Sequence, residues 1–129
     1  MLVLDTHAWM WWVDSPHLLS ATASKEIGSA ESLGISAISC WEVALLAVKG
    51  RIGLDRDVGM WIRSALARPG VVALPLVPED AVEAAALDTD SFPPDPADRM
   101  IYATARSRGA PLVTKDRRLR EFDPRGTIW

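Results

Sequence analysis

Short apolar runs alternate along this chain with helix-length segments, and two of the runs are followed within two residues by an aspartate. Leu2-Val3-Leu4 is followed by Asp5, and Leu112-Val113-Thr114 by Lys115-Asp116. Parallel strands need a crossover between them, usually a helix, so the alternation predicts an α/β fold with a largely parallel sheet. In such a sheet, strand ends and helix starts meet along one edge, and that edge is where ligands bind.

Strands are expected over 1–4, 33–37, 71–76 and 111–114, with one more at an edge over 127–129. Pro75 marks the end of the third or places it at an edge. A short helix over 6–13 is stopped by Asp14-Ser15-Pro16. Ser20 reads as the N-cap of a helix ending near 29. Ser39-Cys40-Trp41-Glu42 opens another helix, which closes at Lys49-Gly50. Further helices are expected over 57–67, closed by Pro69-Gly70, and over 79–87. After a loop at 91–94, Asp95 as N-cap and Pro96 at the first helical position begin a helix to 108, with Gly109 after it.

The length of 129 residues predicts a single domain, 1–129, and a hydrophobic fraction of 49% is enough for a core. The apolar stretch over 8–13 is far too short to span a bilayer, and no basic region precedes it, so neither a membrane anchor nor a signal peptide is expected. A single cysteine, Cys40, allows no intrachain disulfide and fits the cytoplasm. It reads as a small buried residue. The formal net charge of −3 counts against a nucleic-acid partner on average. The balance is local, however. Lys115, Arg117, Arg118 and Arg120 cluster in the tail, and Arg99, Arg106 and Arg108 share one predicted helix. A basic rim around an acidic centre is compatible with these positions.

The acidic centre consists of Asp5, Glu42, Asp98 and Asp116, each at a strand end or in the first turn of a predicted helix. Two carboxylates about 4 Å apart repel by roughly 4 kcal/mol at an effective dielectric near 20. Acids that converge therefore need protons or a divalent cation, and an all-oxygen donor set suits magnesium or manganese. Each acid also has a structural reading. Asp5 can cap the helix that follows it, a role compatible with ligand duty. Glu42 completes a capping box with Ser39, or turns outward to the shared edge. Asp95 is the better cap of its helix, which leaves Asp98 free for a metal. Asp116 is either a turn or N-cap residue or a member of the acidic group. Thr114 can hold a metal-bound water or a phosphate oxygen, whereas Thr104 reads as packing. His7 and His17 have no partners at metal spacing, so zinc is not expected; His7, two residues after Asp5, is within reach of the site but reads as structural. Phosphate-binding and dinucleotide glycine motifs are absent. Trp9, Trp11 and Trp12 crowd one short helix and cannot all face one core, which makes a partner surface an open reading.

Leu4-Asp5-Thr6-His7-Ala8-Trp9 resembles the opening of PIN domains, specifically the VapC-like toxins of bacterial toxin–antitoxin pairs. Ser36-Ala37-Ile38-Ser39-Cys40-Trp41-Glu42-Val43-Ala44 is similar to their second acidic motif. Asp95-Pro96-Ala97-Asp98-Arg99-Met100-Ile101-Tyr102-Ala103-Thr104-Ala105 is similar to the third, and Leu112-Val113-Thr114-Lys115-Asp116 to the fourth. All four in order make the resemblance fairly specific. One departure is that many relatives place a histidine shortly before the third motif, where this chain has Phe92-Pro93-Pro94.

The resemblance implies a three-layer α/β/α fold with a mainly parallel twisted sheet. It also implies a magnesium- or manganese-dependent endoribonuclease with Asp5, Glu42, Asp98 and Asp116 as its acidic site, Asp5 and Asp98 being the direct ligands. Arg99 is then structural. An RNA substrate, a cognate antitoxin and a homodimer follow from the same resemblance. Lys115, Arg117 and Arg118, with Thr114, are the candidates for phosphate contacts. Two rivals remain at this level. A magnesium-binding phospho-receiver-like domain wants paired acids after the first strand, where this chain has Thr6-His7 after Asp5. A non-catalytic interaction module would use the acids only as caps.

Overall fold

In the computed structural model, which describes residues 1–129, five strands form one sheet: β1 (Leu2–Leu4), β2 (Leu33–Ser36), β3 (Val71–Leu74), β4 (Leu112–Val113) and β5 (Thr127–Ile128). Their order is β3-β2-β1-β4-β5, and every neighbouring pair is parallel. Leu4 stands opposite Ile35 on one side and Val113 on the other. The chain lays β2 and β3 to one side of β1, then returns to lay β4 and β5 on the other. The winding reverses between β1 and β4, which is where an open α/β sheet leaves a crevice at its carboxyl edge.

Alternate strand residues serve opposite faces. Leu2, Leu4, Leu33, Ile35 and Val113 join one apolar cluster with Trp9, Ile27, Val43 and Trp61. Val3 and Leu112 join the other with Phe92, Ile101, Tyr102 and Leu119. Both faces are covered, which explains why β1 is apolar without interruption. The first face is roofed by α1 (Thr6–Asp14), α2 (Ala21–Ser29), α3 (Ala37–Val48) and α4 (Val58–Leu66). The second carries α6 (Pro96–Ser107) and α7 (Arg117–Phe122), with α5 (Pro78–Ala86) packed on α6. A short 3₁₀ turn, Pro16–Leu18, links α1 to α2. The three-layer α/β/α architecture and the parallel sheet are as expected. Edge strand β3 ends at Leu74, just before the proline.

One helix start differs from the expectation, and it matters for the site. Helix α3 begins at Ala37, and its N-cap is Ser36, whose Oγ accepts from the Ile38 N–H at 3.1 Å. The box expected between Ser39 and Glu42 does not form. Both serines are competent caps, and the earlier one lies at the strand end, where the backbone is already extended. Glu42 therefore sits in the second turn of α3, free of any capping duty.

The three neighbouring tryptophans of α1 go to different places. Trp9 is fully buried and meets Trp61 edge-on at 5.1 Å. Trp12 is half-buried beneath the Arg68 guanidinium at 5.0 Å. Trp11 turns to the carboxyl edge of the sheet. Cys40, expected inside, is only half-buried. The cations of α6 do not form a free rim. Arg99 is buried and donates to the Ala84 and Leu87 carbonyls at 3.2 and 2.9 Å, satisfying the end of α5. Arg106 pairs with Asp123 at 3.4 Å and Arg108 with Asp80 at 3.0 Å.

Candidate functional site

Four separate segments deliver carboxylates to the crevice between β1 and β4. Asp5 ends β1 and caps α1, its Oδ1 accepting from the Ala8 N–H at 2.7 Å. Asp116 follows β4 and caps α7, accepting from the Arg118 and Leu119 N–H groups at 2.8 and 3.2 Å. Asp98 lies in the first turn of α6, and Glu42 comes from α3 across the sheet. All four line one pocket of about 380 Å³, together with Asp95, Thr6, His7, Trp11 and Lys115.

The lining shows how each acid is held. Thr6, almost fully buried, places its Oγ1 between the Ser39 hydroxyl, 3.2 Å away, and the Glu42 carboxylate, to which it donates. The first residue of α1 thus aims a carboxylate from a different helix. Thr114 works similarly on the other side. Fully buried, its Oγ1 accepts from the Asp116 N–H at 3.1 Å, and its hydroxyl also bonds the Asp5 side chain. It orders two of the acids from behind and does not face the pocket. Asp95 is the N-cap of α6, its Oδ1 accepting from the Asp98 N–H at 3.1 Å. It also stands in the pocket wall. The capping assignment holds, but it does not remove Asp95 from the acidic group.

The electrostatics converge on Asp98. Burial, followed by the charges of Asp95, Glu42, Asp116 and Asp5, pushes its pKa up to about 7. Asp5 is raised by burial, against the Thr114 hydroxyl, the Ala8 N–H and the His7 charge, which favour ionisation. Glu42 is raised by burial and by Asp95, against the Thr6 hydrogen bond. Desolvation and like charge both disfavour the anion, so near neutral pH the pocket takes up either protons or a cation. Its acids supply oxygen only, the donor chemistry of hard divalent ions. No group of three or more His, Cys, Asp or Glu side chains is drawn into a closed ligand cage; the acids line an open pocket.

The expected phosphate contacts separate here. Lys115 lines the pocket. Arg117 is exposed and paired with Glu121 at 2.7 Å, and Arg118 is exposed on the far side of α7 beside Asp90 and Ser91. Thr6, Trp11 and Asp95 are pocket residues that sequence reasoning missed, and His7, read there as structural, lines the pocket as well. Asp95 was legible as an acid three positions before Asp98 at the start of the same helix, and Trp11 as one of three indoles that could not share one core.

Comparisons with known proteins agree with this layout. The PIN-domain family profile matches residues 2–124. The ribonuclease VapC22 of Mycobacterium tuberculosis is 45% identical over 130 residues, covering 99% of this chain and 98% of that protein. A chain of a toxin–antitoxin complex from Klebsiella pneumoniae superposes with a TM-score of 0.69 at 19% identity, covering 100% of this chain and 97% of the other. VapC20 of M. tuberculosis, a toxin that cleaves the sarcin–ricin loop, superposes with a TM-score of 0.70 at 17% identity, covering 98% and 95%.

Proposed function

The chain belongs to the PIN-domain family, among its VapC ribonuclease toxins, and from that premise we propose that it hydrolyses RNA phosphodiesters at the four-acid pocket with magnesium or manganese. The observation that carries this reading is the pooling of charge on Asp98. Acids from four segments meet at the sheet's switch point with no arginine among them. Only a bound cation makes that arrangement stable when all are ionised.

Asp5 and Asp98 are the inner ligands of the proposal: both are raised by burial, Asp5 is held from behind by the Ala8 N–H, and the Asp98 carboxylate accepts no hydrogen bond within the chain and is free for a cation. Asp116 and Glu42 complete the charge, and Asp95 adds to it at the rim. Held by these acids, a divalent ion would supply Lewis acidity toward water and the scissile phosphate. The chain's own contribution is positioning. Thr6 fixes Glu42, Thr114 fixes Asp5 and Asp116, and helix-start N–H groups fix three of the aspartates. With no histidine or lysine bonded to the acids, no side chain is assigned as general base.

The identity to a named ribonuclease along the full chain favours an enzyme over a module whose acids only cap helices. The receiver-like alternative also wants a phosphoacceptor aspartate after a middle strand, whereas β2 closes on Ser36 and β3 on Leu74-Pro75. For partners, we infer an antitoxin protein and a second copy of the chain. Support comes from the Klebsiella chain, which belongs to a toxin–antitoxin complex, and from Trp41, Val48 and Met60, exposed on α3 and α4. No helix is long and apolar enough to cross a membrane.

The test is RNA cleavage by the purified protein. Manganese should support it and a chelator should stop it, while Asp5→Asn and Asp98→Asn should abolish it with the circular dichroism spectrum unchanged. Wild-type rates in either variant would sink the assignment.

A further inference from the structure

Trp11 is the single apolar side chain lining a pocket otherwise built of acids, hydroxyl, imidazole and ammonium groups. It is half-buried, and it belongs to neither apolar core nor to the side chains packed against them. Core packing therefore does not explain where it points. Three neighbours hold its ring, one on its own helix and two from other segments. His7, one helical turn earlier on α1, lies 5.7 Å away ring to ring. Trp129, placed beside Thr114 by the β4–β5 ladder, lies 5.8 Å away. The Lys115 ammonium stands 5.5 Å from its ring centroid, in the loop that leads to Asp116.

We propose that Trp11 is a stacking platform for an unpaired RNA base next to the scissile phosphate, with Lys115 holding the adjoining phosphate. The proposal rests on the ribonuclease reading and narrows its substrate to a single-stranded segment. A polyanion approaching this pocket meets carboxylates, and the one lysine or arginine in its lining is Lys115. Binding there needs attraction that does not depend on charge, and a nucleobase has a face to offer an indole. A base within a duplex has both faces covered by its neighbours, whereas a splayed base is free to stack on an aromatic ring. Lys115 stands over the indole and also lines the pocket, so in this proposal its ammonium moves from the ring to the phosphate beside the stacked base. A lysine on a flexible stem makes a point contact with a phosphate without demanding a fixed geometry.

The experiment is fluorescence anisotropy of a labelled single-stranded RNA oligomer and of the same strand in a duplex, titrated across a range of salt concentrations. It is run in the Asp98→Asn background to prevent cleavage. Adding Trp11→Ala should weaken single-strand binding by about tenfold or more, while Trp11→Phe should stay within a few fold. Neither should change the salt dependence. Lys115→Met should instead reduce the slope of log affinity against log salt by about 0.7, the share of one phosphate contact on a single strand. A packing role for Trp11 would not separate these two behaviours. Equal single-strand affinity after Trp11→Ala, or an equal loss on the duplex, would overturn the proposal and assign the indole to a protein contact. Because binding is read without cleavage, a wild type that binds this way but never cuts RNA would fail the ribonuclease reading alone.

Discussion

The two ends of α6 treat charge in opposite ways. At its start, Asp98 is surrounded by Asp95, Glu42, Asp116 and Asp5, and its pKa rises to about 7. At its end, the buried Asp80 and the half-buried Asp123 each have partners. Asp80, 2% exposed, meets Arg108 at 3.0 Å. Asp123 accepts from the Tyr102 hydroxyl at 2.9 Å and the Arg106 guanidinium at 3.4 Å, and its pKa is lowered by those groups and by the Gly126 N–H despite some burial. Both regions are buried and acidic, yet one is neutralised within the chain and the other is left open. Buried charge that is paired internally serves the fold, while buried charge of one sign that is pooled serves a ligand of the other sign.

The largest expected effect lies at the pooled end. Asp98→Asn should lower the rate of RNA cleavage by more than about a hundredfold, roughly the 3 kcal/mol of barrier that separates such rates. The same change should leave the metal-free protein at least as stable, because it removes a repelled charge. Cleavage loss accompanied by unfolding would erase the contrast between the two ends.

The paired end should show the reverse. Arg108→Met leaves Asp80 buried without its partner, which typically costs about 3–5 kcal/mol. Urea unfolding should register that loss while the rate per folded molecule stays near wild type. An unchanged midpoint would show that the pair is not a structural clasp.

The pH response separates the ends without mutation. A carboxyl whose folded pKa is raised binds its proton more tightly in the native state. Its contribution to stability is thus fully present below the unfolded value of 3.8 and is lost as pH rises through about 7. About three pKa units at 1.36 kcal/mol each set an upper bound near 4 kcal/mol, reduced by the partial exposure of Asp98. Chelated protein should therefore lose stability between about pH 4 and pH 8, and manganese should restore it most at the alkaline end. A metal-induced rise in Tm of the same size at pH 5 and pH 8 would count against pooling. Asp123 has the opposite sign, since its lowered pKa gives stability that is lost on acidification. Tyr102→Phe removes one of its donors and should cost about 1 kcal/mol, seen by urea unfolding at neutral pH and shrinking in acid. A loss that persists unchanged in acid would mean that the hydroxyl matters for packing and not for the charge.

Much of the pooled end was legible in the sequence, because strand ends and helix starts are local patterns. Leu2-Val3-Leu4 before Asp5 and Asp95-Pro96 before Asp98 announce their own geometry. Glu42 was harder. Ser36 and Ser39 are equally good caps on paper, and the choice between them is made by where β2 stops, which depends on pairing with β1 and β3. Asp95 was read as a cap and is one, but a cap that also faces a crevice looks no different in sequence. The paired end was not legible at all. Arg108 with Asp80 and Arg106 with Asp123 join residues far apart in the chain, and nothing local tells a paired arginine from a free one. For the same reason α6 looked like a basic rim and is not one.

The most direct test of the central contrast is calorimetric titration of manganese into the wild type and Asp98→Asn at pH 7, repeated in buffers of different ionisation enthalpy. The pooled-acid account predicts that the wild type binds the ion and releases part of a proton as it does so. It predicts that Asp98→Asn binds at least about tenfold more weakly, a loss of some 1.4 kcal/mol, with that proton release gone. Equal affinity and equal proton release in the two proteins would contradict it.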